Sequence, residues 1–112
     1  MNMTCVERQY IPIIRLKLNC EDPEPINVGF ANIKPDLKCG DTYFEVECED
    51  KAHYGLGQAL AYRYGGKQAG LIIIVINRYG EVMKFLKWVK EKFNLRTMVV
   101  VCENNDCNIL NV

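Results

Sequence analysis

Apolar and polar positions follow different periods along this chain, and each period predicts one kind of element. Residues 71–76 form a continuous apolar run, which is typical of a strand buried on both faces. Residues 81–93 repeat apolar side chains every three or four positions, which predicts an amphipathic helix. Residues 98–102 predict a second buried strand, and residues 108–112 a short closing strand. This order of strand, helix and strand predicts an α/β fold.

The N-terminal part of the chain has a weaker pattern. Residues 4–10 predict a short helix capped by Thr4, and Pro12 limits that helix because proline has no backbone N–H. Residues 14–18 alternate apolar and polar positions, which predicts a strand. Residues 26–33 predict the first strand of the sheet that the next segment continues.

Residues 36–49 predict a β-hairpin around Gly40-Asp41. Glycine in the first central position suits a type II′ two-residue turn. Counting outward from this turn makes Asp36 and Glu45 direct cross-strand neighbours, with Cβ atoms roughly 5 Å apart. The hairpin therefore brings two carboxylates together.

Alternation along the second strand separates an apolar face from an acidic face. The side chains predicted on the acidic face are Asp36, Glu45, Glu47 and Glu49. Glu45 and Glu47 would lie roughly 6.6 Å apart, and at an effective dielectric constant of about 20 such a pair costs about 2–3 kcal/mol. A bound cation would relieve this repulsion, whereas a solvated strand face that carries ordinary exposed glutamates is the simpler interpretation.

The dipeptide Pro35-Asp36 followed by Glu45-Val46-Glu47 resembles the PD-(D/E)xK nuclease superfamily. A helix predicted from about residue 54 to Gly65-Gly66 carries Gln58 and Tyr62, which resemble the Gln-x-x-x-Tyr motif of its RecB-like and archaeal nuclease branches. The resemblance covers about residues 29–77. It implies a restriction-endonuclease-like α-β-β-β-α-β core with a mixed central sheet.

The resemblance also implies a function, the hydrolysis of DNA phosphodiester bonds with Mg²⁺ or Mn²⁺. Asp36 and Glu45 would hold the metal, and Gln58 would orient the site or the phosphate. Tyr62, one helical turn further on, would share the face of Gln58 and contact the substrate. Glu7 corresponds to a glutamate that some members of the superfamily place on the first helix near the metal.

One position departs from the superfamily pattern, because Glu47 stands where the motif has lysine. Some restriction enzymes of the superfamily carry glutamate there, so Glu47 could be a third metal ligand or a general base. Lys51 could supply the missing positive charge from the end of the strand. A shifted alignment that uses Glu49-Asp50-Lys51 restores the lysine but sacrifices the pairing of Asp36 with Glu45.

Two alternatives to an active nuclease stay open. One is a catalytically inactive nuclease fold that serves as a nucleic-acid-binding or protein-interaction module, which the glutamate in the lysine position favours. The other is a redox-stabilised accessory protein without any site. For the active enzyme we expect a homodimer, because cutting two strands usually requires two sites.

Charge changes this picture only modestly. The 14 basic and 14 acidic residues cancel, which argues mildly against tight nonspecific binding of nucleic acid. The acids concentrate at residues 45–50, whereas bases recur from Arg63 to Lys92. A basic surface beside an acidic metal site and a solvated helix face both agree with this segregation.

Length and hydropathy predict a single domain over residues 1–112 that is intracellular, cytoplasmic and without a membrane partner. Six cysteines are many for a cytosolic chain of this length, and no Cys-x-x-Cys pair suggests zinc. Buried free thiols are the first expectation, with intracellular disulfides of hyperthermophiles as the exception. Cys102 and Cys107 flank a predicted turn, so they form the first candidate disulfide.

Overall fold

A computed structural model describes residues 4–104 and 106–112 of the chain. In chain order, its elements are α1 (Glu7–Leu18), β1 (Ile26–Asn27), β2 (Asn32–Ile33), β3 (Leu37–Cys39), β4 (Thr42–Cys48), a 3-10 helix (Glu49–Lys51), α2 (Ala52–Tyr64), β5 (Gln68–Val75), α3 (Tyr79–Phe93), β6 (Arg96–Glu103) and β7 (Asp106–Asn111). The three elements predicted from residue 71 to residue 102 are confirmed as β5, α3 and β6.

The central sheet has five strands in the order β3-β4-β5-β6-β7. The three inner strands β4, β5 and β6 are parallel, and the two edge strands β3 and β7 are antiparallel to their neighbours. Helix α2 connects β4 to β5, and α3 connects β5 to β6. The prediction of an α/β fold around a mixed sheet is therefore confirmed.

The helices form layers on the two faces of this sheet. Phe44, Val46 and Ile72 are buried on one face together with Ile14 of α1. The opposite face buries Leu71 and other residues under α2 and α3. Because side chains alternate along a strand, the even-numbered positions of β4 face α1 and the odd-numbered positions face α2.

The prediction for residues 4–18 is wrong, because a single helix, α1, replaces the short helix and the strand. Pro12 lies inside this helix and does not end it. Burial of Ile14 against the sheet favours the continuous helix over the local preference of proline. Asn19 ends the helix in the left-handed conformation, at φ 54°.

The prediction for residues 26–33 is also wrong, since they do not form a strand of the central sheet. They fold into a separate two-stranded hairpin, in which Ile26 pairs with Ile33. Gly29, at φ 103°, occupies the turn, a backbone conformation that side chains disfavour. The hairpin packs on α2, where Ile26 and Val28 are buried beside Tyr62.

The expectation of free thiols is wrong as well. Disulfides join Cys5 to Cys48, Cys20 to Cys39 and Cys102 to Cys107, and the described residues include no free cysteine. The last of these is the pair that the sequence predicted. The first two connect the two ends of α1 to β4 and β3.

No helix within residues 4–104 and 106–112 has the length and apolarity that crossing a membrane requires.

Candidate functional site

The β3–β4 hairpin has the register that the sequence predicts. The paired residues are Leu37 with Phe44, Lys38 with Tyr43 and Cys39 with Thr42. Gly40 adopts φ 61°, as the first central position of a type II′ turn requires. The strand pairing therefore ends immediately before Asp36 and Glu45 would face each other.

Asp36 replaces the next rung of the ladder with its side chain. Its Oδ2 accepts a hydrogen bond from the backbone N–H of Val46 at 2.8 Å. This bond holds the carboxyl group against the edge of β4, where β3 no longer covers that strand. Asp36 and Glu45 consequently lie within hydrogen-bonding reach of each other.

Glu45 is buried although it is ionisable, since only 7% of its surface is exposed. It occupies an odd-numbered position of β4 and therefore faces α2, where the hydroxyl of Tyr62 donates a hydrogen bond to its Oε1. Tyr62 itself is completely buried. The predicted helix residue Tyr62 thus contacts one of the two predicted metal ligands.

Burial and like charge change the protonation of this pair. Burial, followed by the charge of Asp36, raises the pKa of Glu45 to about 8, although the hydrogen bond from Tyr62 opposes the rise. Burial also raises the pKa of Asp36. Burial thus favours the protonated form of Glu45, which can donate a hydrogen bond to Asp36. Tyr62 remains a hydroxyl donor, because burial and the charge of Glu45 raise its own pKa.

Glu47 occupies the next odd-numbered position of β4. Burial, followed by the charges of Glu7 and Asp36, raises its pKa to about 7, and the charge of Lys51 opposes this rise. Room for the side chain comes from Gly55 of α2, because a Cβ atom there would lie only 2.8 Å from Cγ of Glu47. Glu7 thus acts on Glu47 from the start of α1.

We call Glu7, Asp36, Glu45 and Glu47 the acidic cluster. Positive charge reaches it from Lys34 beside Asp36 and from Lys51 beside Glu47. Lys34 also pairs with Asp22, at 3.3 Å between Nζ and Oδ1. Within the described ranges, no member of the acidic cluster belongs to an ion pair.

Gln58 is not brought into this hydrogen-bonded set in the described part of the chain. It is exposed on α2, three residues after Gly55 and four before Tyr62. Side chains at these spacings lie on one side of a helix, so Gln58 shares the side of α2 that contacts Glu45 and Glu47. Its side chain is exposed to solvent.

The prediction that Glu49 lies on the acidic face of the hairpin is wrong. Strand β4 ends at Cys48, and alternation ends with it. The Oε1 of Glu49 accepts hydrogen bonds from the backbone N–H groups of Ile76, Asn77 and Arg78, where the chain enters α3. These bonds lower the pKa of Glu49 although burial opposes them. Its carboxylate is therefore engaged away from Asp36, which disfavours the shifted alignment.

The donor chemistry of the cluster fits a hard divalent cation, which prefers carboxylate oxygens. The arrangement of the side chains does not yet present them as ligands: among the described residues, no three Asp, Glu, His or Cys side chains are placed to hold one ion. Burial favours a proton on Glu45, and a bound cation would have to displace that proton.

Two residues, Lys34 and Glu49, have roles in the structure that the sequence did not predict. Lys34 immediately precedes the Pro35-Asp36 dipeptide, so its position in the sequence was a usable signal. Glu49 offered no such signal, because its partners are backbone groups some 27 to 29 residues further along the chain.

Comparison of the chain with protein-family models, with curated proteins and with solved structures found no match.

Proposed function

We propose that this protein is a metal-dependent nuclease that hydrolyses DNA phosphodiester bonds, with a restriction-endonuclease-like core. The order α1, β3, β4, α2, β5 supports this core, with the acidic cluster at the junction of β3 and β4. The short strands β1 and β2 lie outside the main sheet and depart from the α-β-β-β-α-β arrangement.

The observation that carries the proposal is the pair formed by Asp36 and Glu45. Within the described residues, the buried carboxyl group of Glu45 and the half-buried one of Asp36 lie together without an ion pair, which is costly to maintain in a domain of this size. Tyr62 holds Glu45 in place with a buried hydroxyl, and Val46 holds Asp36 with a backbone amide. Such a preorganised acidic pair is expected where function requires it.

Asp36, Glu45 and Glu47 would hold Mg²⁺ or Mn²⁺. When bound, such an ion activates water and neutralises negative charge on a phosphate. Glu47 has a pKa of about 7, which suits a general base near neutral pH. Lys51 would supply positive charge to the phosphate.

Three residues have supporting roles in this proposal. Gln58, which is exposed on α2, would contact the substrate. Tyr62 was predicted to contact the substrate as well, but it is completely buried, so its role would be to position Glu45. Glu7 would complete the acidic cluster from α1.

We further propose that the active form is a homodimer acting on DNA in the cytoplasm. Cytosolic proteins rarely keep disulfides except in hyperthermophiles. The three disulfides therefore restrict a cytoplasmic location to a protein of such an organism.

Metal-dependent stability tests the site directly. Because a cation would replace repulsion within the acidic cluster by attraction, millimolar Mg²⁺ or Mn²⁺ should raise the melting temperature of the wild-type protein. The same metals should not change the melting temperatures of the Asp36→Ala and Glu45→Ala variants. A wild-type melting temperature that ignores both metals would contradict the site.

Cleavage tests the reaction. The protein is incubated with labelled linear, nicked and four-way DNA in the presence of either metal, beside Asp36→Ala and Glu45→Ala. We expect cleavage by the wild type and loss of cleavage in both variants. Cleavage that survives both substitutions would place the activity elsewhere.

A nuclease fold without catalysis is the second candidate, and Glu47 favours it. A carboxyl group in the position of the motif lysine adds negative charge where a phosphate would approach. This candidate predicts DNA or protein binding without cleavage under any metal. Glu47→Lys would then be the variant that gains cleavage.

A further inference from the structure

An exposed aromatic pair lies at one end of α2, far along the helix from Gly55. The rings of Phe30 and Tyr64 have centroids 6.2 Å apart and are tilted by 47°. Phe30 is 71% exposed and Tyr64 is 75% exposed. Because rings this exposed bury little apolar surface, they contribute little to the stability of the fold.

The backbone presents these rings in a defined place. Phe30 occupies the tip of the β1–β2 hairpin, which the hydrogen bond from Val28 N–H to the Ala31 carbonyl closes at 2.9 Å. Gly29 turns the chain there, and a Cβ atom at this position would lie 3.5 Å from Cε2 of Tyr64. The two rings therefore come from two elements that are packed together.

A basic pocket adjoins the same end of α2. This pocket, of about 430 Å³, is lined by Arg63, Gly66, Lys67, Gln68, Asn94 and Arg96, together with Ala69. It contains three cationic side chains and no carboxylate. Within the described residues none of the three forms an ion pair, so their charge is available to an anion.

The two arginines are held by the fold with donors to spare. Arg63 donates to the carbonyls of Phe93 at 2.8 Å and Asn94 at 3.0 Å, which uses two of its five N–H groups. Arg96 lies over the ring of Phe44, 5.4 Å from its centroid, and donates to Thr42. Rigid guanidinium groups of this kind suit phosphate.

The aromatic pair and the basic pocket share one short piece of chain. Tyr64 precedes Lys67 by three residues, so their Cα atoms are no more than about 11 Å apart. Stacking rings beside a phosphate-sized basic pocket are the two components with which proteins hold single strands. Duplex bases are already stacked on each other and offer no face to such rings.

We infer that the surface formed by Phe30, Tyr64 and the basic pocket binds single-stranded nucleic acid, with bases stacked on the rings and phosphates in the pocket. As a statement about the substrate, this inference rests on the proposed nuclease function. It then implies that the enzyme acts on DNA that carries an unpaired stretch.

Binding is measured by fluorescence anisotropy with a labelled oligothymidylate of roughly 16 nucleotides, the upper site size of a single-strand-binding fold. EDTA is present, so that no metal-dependent cleavage occurs. We expect Tyr64→Ala and Phe30→Ala each to weaken binding about tenfold or more. Tyr64→Phe should retain wild-type affinity, because stacking requires the ring and not the hydroxyl.

The contribution of the basic pocket is tested separately, through the salt dependence of binding. Lys67→Ala should weaken binding and lower the slope of log affinity against log salt by about 0.7, the value for one phosphate contact with a single strand. Tyr79→Ala is the matched control, since Tyr79 is 46% exposed on α3 and lies outside this surface.

Wild-type affinity in both Tyr64→Ala and Phe30→Ala would overturn the inference, as would equally tight binding of a duplex or no binding by the wild type. The two proposals fail separately. Asp36→Ala should lose cleavage and still bind the oligonucleotide. If Tyr64→Ala cleaves DNA with metal as well as the wild type does, only the binding surface is refuted and the nuclease proposal stands.

Discussion

At the scale of single residues, Glu45 shows how surroundings set the chemistry of a side chain. Its carboxyl group lies under α2, beside a second carboxyl group and a buried hydroxyl. The folded protein holds a proton there up to a pH of about 8, whereas an ordinary glutamate loses it near 4.5. Between these values the folded state binds more protons than the unfolded chain, so the free energy of unfolding falls as pH rises.

Glu45→Gln should remove much of this pH dependence. The amide keeps an oxygen for the Tyr62 hydroxyl and gains an N–H for Asp36, but it carries no charge. We expect a higher melting temperature than wild type near pH 8 and a flatter decline between pH 4.5 and 8. Thermal denaturation across this range, without divalent metal, measures both.

Glu24→Gln serves as the control for this experiment, because Glu24 is exposed and outside the acidic cluster. It should melt with the wild-type slope. A wild-type slope in Glu45→Gln would mean that Glu45 is already ionised in the folded protein near neutral pH.

At the scale of elements, α2 approaches the sheet through a glycine. A Cβ atom at Gly55 would lie 2.6 Å from Cδ1 of Leu71 and 2.8 Å from Cγ of Glu47. At Gly57, two residues later, a Cβ atom would meet nothing within 4 Å. Close approach therefore explains the first glycine of this helix, and the structure offers no packing reason for the second.

Alanine at these two positions should consequently have opposite effects. Gly55→Ala should destabilise the protein by roughly 1–2 kcal/mol, because overpacking against the fully buried Leu71 outweighs the gain in helix propensity. Gly57→Ala should stabilise it by about 0.5–1 kcal/mol through propensity alone. Urea denaturation of both variants measures the two changes in the free energy of unfolding. Equal changes in the two variants would contradict the packing of α2 on β4 and β5.

At the scale of the whole molecule, disulfides hold the α1 layer to the sheet. Cys5–Cys48 spans 43 positions of the chain and attaches the start of α1 to the end of β4. Cys20–Cys39 spans 19 positions and attaches the region after α1 to β3. Glu7 and Glu47 each lie within two residues of the first bridge, so the same link keeps Glu7 at the acidic cluster.

Removal of these bridges should cost stability in the order of the loops that they close. The chain-entropy model gives about 4 kcal/mol for Cys5–Cys48 and about 3 kcal/mol for Cys20–Cys39, but only about 2 kcal/mol for Cys102–Cys107, which spans 5 positions. Double serine variants of each pair, compared by urea denaturation, measure this order.

Intact mass spectrometry after alkylation, with and without a reductant, provides the accompanying control. Without reductant, the six cysteines of the wild type should resist alkylation. Alkylation of all six without reductant would show that the bridges do not form in solution.

Much of the fold could be predicted from local pattern, whereas the errors occurred where distant contacts override it. The hairpin register followed from one glycine turn, and β5, α3 and β6 followed from hydrophobic period. Pro12 was predicted to limit a short helix, but burial of Ile14 in the core favours one continuous helix. Glu49 was predicted on the acidic face, but its hydrogen-bond partners lie at the start of α3.

The candidate site divides in the same way. Sequence spacing alone determined that Asp36 and Glu45 would be neighbours, because a two-residue turn leaves one pairing register. Spacing also placed Gln58 and Tyr62 on one side of a helix.

Only the tertiary structure decided the protonation of the acidic cluster, the bond from Tyr62 to Glu45 and the approach of Glu7. Only the tertiary structure, likewise, brought Phe30 to Tyr64 and Arg96 to Lys67. The physical reason is that local periods specify which way a side chain points along its own element. Burial and charge, by contrast, depend on which other elements pack against it.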